Sequence, residues 1–165
     1  MMLPRGSRLS LAIMTALLIL LQFYVRPRLW DTRFAPDFLL ILLLVIAMVS
    51  RPGVAAIAGL VVGLLSDALT PVNIGAGMLA HALVGYLAAW SRVVFFGENY
   101  LVHLGLFLGA CWVRNVLVAL LGGLGRGAVQ YEALVGGLLQ GLTTAIAGVV
   151  VVFVVREWMG VRLEA

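Results

Sequence analysis

The chain has 165 residues, 64% of them hydrophobic and 11% charged, with a mean hydropathy of +1.15. A soluble domain of this size lacks the interior to hide so much apolar side chain, so the composition excludes one and predicts an integral membrane protein. The net charge is +4, and all 11 basic residues are arginine. They stand singly at the ends of apolar runs, as topology determinants and headgroup anchors do; this argues against a nucleic-acid surface.

Six apolar runs follow one another along the chain. The first covers residues 9–25, after Arg5 and Arg8. Its flanks resemble a signal peptide, but no small-residue cleavage site follows, so it reads as a retained first helix. The second, 38–49, lies between Asp37 and Ser50. A full crossing needs about 20 residues. This run is therefore tilted, thins the bilayer locally, extends through "RFAP", or is a re-entrant segment. The third, 54–69, follows "RPG", with Pro52 suited to a first helical turn. The breaker "TPVNIG" precedes the fourth, 74–90, and the fifth and sixth cover 101–121 and 133–155. The pattern predicts an all-α membrane protein: one domain, 1–165, of about six transmembrane helices in a compact bundle. With the N-terminus inside, Arg5, Arg8, Arg51, Arg92, Arg156 and Arg162 face the cytoplasm. Arg26, Arg28, Arg33 and Arg126 face outward. This balance predicts both termini cytoplasmic.

Small residues permit close backbone approach, which drives membrane helices together where leucine cannot. The third run places Ala55, Ala56, Gly59, Gly63, Ser66 and Thr70 on one broad face. Three GxxxG pairs lie within the helical runs: Gly59 with Gly63, Gly105 with Gly109, and Gly137 with Gly141. The face on the third run either packs inside the bundle or receives a helix from another protein.

Four polar residues stand out within the runs: Asp67, His81, Arg114 and Gln140. An ionised group near the bilayer centre costs about 2.5–3.5 kcal/mol, so each needs a partner, water or an interface. Asp67 and Arg114 lie about 20 Å from the inner ends of their helices, and His81 and Gln140 about 10 Å from their outer ends. These depths predict one polar layer, with Asp67 paired to Arg114. Asp67 could alternatively cap a helix end, and Arg114 could snorkel to headgroups. His81 reads as a hydrogen-bonded core histidine, Gln140 as a bridge between helices, and Cys111 as a buried thiol. No HExxH, CxxC, P-loop or GxSxG motif is present, and no second acid lies clearly within the membrane. Catalysis, a metal and a cofactor are therefore not expected. A scaffold, a partner-binding subunit or a small-molecule-binding subunit remains.

Residues 34–96 resemble the rod shape-determining MreD family. Phe34, Pro36 and Asp37 match its entry to the second helix, and Gly59, Gly63 and Asp67 its glycine-rich third helix ending in an acid. Ile74 and Gly75, with Ile in place of the usual Leu, match its turn, and Tyr86 its fourth helix. Beyond residue 100 the likeness is one of hydropathy. The resemblance implies a non-enzymatic, multi-pass inner-membrane subunit of the cell-elongation machinery. It implies association with the shape protein MreC, and through it with MreB filaments, RodA and a penicillin-binding transpeptidase. It also implies a fold similar to the substrate-binding subunits of energy-coupling-factor transporters. Gly59, Gly63, Ser66 and Asp67 are then the candidate contacts for the MreC transmembrane helix. The runner-up is a solute-binding subunit of such a transporter, with the polar layer as its pocket.

Overall fold

The computed structural model describes residues 5–29, 34–69, 74–95, 100–123 and 125–159, and every regular element among them is helical. Helix α1 is Arg5–Leu20; it continues through a π turn, Leu21–Val25, and a 3₁₀ turn, Arg26–Arg28. Helix α2 is Phe38–Val49, α3 Pro52–Leu69, α4 Ala76–Phe95 and α5 Tyr100–Leu121. A short α6, Arg126–Tyr131, runs through a second π turn, Glu132–Gly136, into α7, Gly137–Met159. Counting the last three as one rod, the six apolar runs correspond to six rods.

Helix α2 explains the arrangement. Its sequence, FLLILLLVIAMV, is apolar on every side, which suits a helix enclosed by others or one facing lipid. Nine of its 12 residues are buried, and α1, α3, α4, α5 and α7 all touch it. It spans only about 18 Å at 1.5 Å per residue. The surrounding helices present apolar residues outward: Ile57, Val61 and Leu64 on α3, Leu79 and Leu83 on α4, and Ile146, Val150 and Phe153 on α7. Tyr100–Leu121 and Val129–Val155 are long and apolar enough to cross a membrane. Phe38–Val49, Pro52–Ala68 and Ala76–Ser91 are shorter apolar helices.

The tightest contact is α3 against α4. A Cβ added at Gly63 would stand 2.5 Å from Met78 Cα, and one at Gly59 2.7 Å from Ala82 Cα. One at Gly85 would stand 2.6 Å from the Ala55 carbonyl oxygen. The two backbones thus touch along their length, which only glycine allows. Gly59 and Gly63 on the small face of α3 therefore pack against α4, as in the internal-packing alternative read from the sequence.

Candidate functional site

The polar residues gather where the chain enters α2. Residues 34–37 are irregular, and irregular backbone inside an apolar bundle is tolerated only if its polar groups find partners. They do. Thr143 donates to the Phe34 carbonyl at 2.7 Å, and the Gln140 amide donates to the Ala35 carbonyl at 3.3 Å. Pro36 has no N–H to satisfy. The Asp37 N–H donates to Thr144 Oγ1 at 3.1 Å, and the Phe38 N–H to Gln22 Oε1 at 3.0 Å. Side chains from the π turn after α1 and from α7 thus replace the water this segment would otherwise need.

Asp37 does two jobs here. Its Oδ1 accepts from the Leu40 N–H at 3.1 Å, capping α2, and its Oδ2 forms an ion pair with Arg114 of α5. Asp37 is 1% exposed and Arg114 9%. Next to Arg114, the Asn115 amide donates to Gln140 Oε1 at 2.8 Å. Cys111, one turn before Arg114, is buried against Thr144. The hub thus ties α1, α2, α5 and α7 together.

Asp67 is not the partner of Arg114. Its Oδ2 accepts from the N–H groups of Gly75 at 2.7 Å and Met78 at 3.2 Å. Those are unsatisfied donors at the start of α4, where the helix dipole also favours a carboxylate. Gly75, at φ +101°, makes the tight turn that aims its N–H at the acid. Gly77 then packs directly on the carboxylate. Ser66, its neighbour, is half-buried. His81 is wholly buried, and its Nδ1 bonds the Gly77 carbonyl at 2.8 Å. A carbonyl only accepts, so Nδ1 carries the proton. His81 feels the charges of Arg114, Asp37 and Asp67.

The expected layer thus resolves into two arrangements. Arg114 and Gln140 join the hub with Asp37, while Asp67 and His81 serve the start of α4. Depth matching missed Asp37 because it assumes that every helix begins at a membrane face. Residues 34–37 begin inside the bundle, which brings Asp37 level with Arg114. Gln22, Thr143 and Thr144 were also missed: Gln22 lies near the end of the first run, and a threonine within an apolar run can bond its own helix, as Thr143 does to the Gln140 carbonyl. Among the described residues, no three His, Cys, Asp or Glu side chains gather to hold a metal.

A second feature is an open groove of about 500 Å³ between α4 and α5, with almost wholly apolar walls. Val84, Leu87 and Ala88 line one side; Gly105, Gly109 and Ala110 line the other. A Cβ added at Gly105 or Gly109 would meet nothing within 4 Å.

The family model for rod shape-determining protein MreD matches residues 5–161. The chain belongs to the MreD family. The match runs past residue 100 and takes in Arg114 and Gln140 of the hub. MreD proteins are membrane proteins of rod-shape determination, and this chain shares that role. No curated protein and no solved structure matches the chain. The fold likeness to energy-coupling-factor subunits therefore rests on the family resemblance alone.

Proposed function

We propose that this MreD-family chain is a non-enzymatic scaffold of the bacterial cell-elongation machinery, and that the groove between α4 and α5 seats the transmembrane helix of MreC. The observation that carries this reading is the contrast among the three GxxxG pairs. Gly59 and Gly63 are filled by α4. Gly137 lies against Trp112 and Asn115, and Gly141 against Leu108, all on α5. Gly105 and Gly109 alone among the three face open space, along an apolar groove. A membrane helix gains from such a site because small residues let its backbone come close.

In this reading the protein spans the inner membrane several times with both termini cytoplasmic, as the arginine balance predicts. It fixes the position of MreC, and through MreC it links MreB filaments to RodA and its transpeptidase. Lateral peptidoglycan synthesis then depends on the assembled complex and needs no chemistry in this chain. A solute-binding role is not favoured. Most polar groups that would line a pocket bond one another in the hub, and the open groove is apolar.

Co-purification from membranes tests the assignment. Gly105→Leu with Gly109→Leu should cut MreC recovery about tenfold or more while the protein still inserts and stays monodisperse. Unchanged recovery removes the groove from the account.

A further inference from the structure

Several donors of the hub are unmatched. Asp37 accepts from Leu40 on one oxygen and from Arg114 on the other. Gln22 Oε1 accepts from Phe38, Gln140 Oε1 from Asn115, and Thr144 Oγ1 from both Asp37 and Cys111. Among the described residues, three buried N–H groups find no acceptor: Gln22 Nε2, Arg26 Nε and Arg114 Nε. Gln22 is 1% exposed. The fourth unpartnered atom, His81 Nε2, is an acceptor in the tautomer described above. Unmet donors in an apolar bundle are costly, and natural structures rarely leave several together.

The three groups share one region. Gln22 and Arg26 lie four residues apart in the consecutive turns that end α1, and Asp37, the ion-pair partner of Arg114, directly precedes Phe38. The Gln22 amide bonds the residue after Asp37. Glu132 adds a carboxylate within the field of Arg114, but its Oε2 lies against Gly136. A ligand for this set must supply acceptors and negative charge. A phosphate group does both, and arginine suits its geometry.

We propose that Gln22, Arg26 and Arg114 form an anion site that takes a phosphate group, either a phospholipid headgroup or free phosphate. Arg26 lies half-buried in the 3₁₀ turn that ends α1, next to exposed Arg28, so the group enters from the end of the bundle. The headgroup arm of the proposal makes the site a lipid anchor that locks α1 to α2.

The full chain purified in phosphate-free maltoside detergent provides the test. Inorganic phosphate, phosphatidylglycerol and diacylglycerol are titrated separately, and unfolding is followed by tryptophan fluorescence. A saturable rise in Tm with inorganic phosphate identifies a free-anion site. A rise with phosphatidylglycerol alone identifies a headgroup site. Gln22→Glu keeps the oxygen for the Phe38 N–H but replaces the donor with a negative charge, and it should abolish the rise. Arg26→Gln, at a half-buried position, should weaken binding about tenfold. Arg28→Gln should leave it unchanged. No rise with any additive, or an equal rise with diacylglycerol, overturns the site in favour of bound water. A rise that survives Arg26→Gln undiminished overturns it as well.

Discussion

Asp37 sits in what looks like a loop, yet it is among the most buried polar residues of the chain. Its charge and that of Arg114 are tolerable only together. Removing one leaves the other buried and unpaired, which costs about 3–5 kcal/mol. Arg114→Met should therefore lower Tm sharply in detergent melts, and Asp37→Leu with Arg114→Met should recover much of the loss. Asp37→Asn should retain the bond to the Leu40 N–H and still destabilise the protein by leaving Arg114 unneutralised. Asp67 differs, because its partners are backbone N–H groups. Asp67→Asn keeps an accepting oxygen and should cost no more than about 1 kcal/mol, whereas Asp67→Leu should cost about 1–2 kcal/mol by orphaning both donors. Melts that rank Asp67→Asn above Asp37→Asn in severity would reverse this assignment. In sequence, an arginine within an apolar run shows clearly that it needs an acid. Which acid it takes depends on where residues 34–37 lie, and hydropathy does not locate a buried irregular segment.

Among the elements, α2 and the α3–α4 pair were legible to different degrees. The absence of any polar face on α2 is plain in FLLILLLVIAMV, but it fits a lipid-facing helix as well as an enclosed one. Its shortness read as tilt or re-entry; the structure gives it a buried entry segment held by side chains of α7. The small face of α3 was equally plain, but a periodic pattern shows that a face packs closely without showing what packs on it. The answer lies in α4, where Gly77 and Gly85 provide matching close approaches. Gly63→Leu should therefore force α3 from α4 and sharply reduce the yield of monodisperse protein on size exclusion. Gly105→Leu should leave that yield intact, since nothing lies within 4 Å of a Cβ there. Equal losses from both substitutions would mean that the α5 pair also packs internally.

For the whole molecule, composition alone fixed the class: an apolar helical bundle with few charges. The boundaries shifted modestly. The fourth rod continues past Trp90 to Phe95, and the last begins at Arg126, ahead of the apolar run. What composition could not give was the division of labour among the helices. Contacts between distant segments decide it, and they leave α3 paired, α2 enclosed and α5 with one glycine pair unused. The central claim is that this unused pair seats a single helix of MreC. Site-directed disulfide cross-linking in native membranes tests it most directly. Cys111 is first replaced by alanine, and Gly105→Cys, Gly109→Cys and the outward-facing Val61→Cys are each combined with a cysteine scan of the MreC transmembrane helix. The account predicts cross-links from positions 105 and 109, with helical periodicity along MreC, and none from position 61. Cross-links from position 61 but not from 105 and 109 would contradict it.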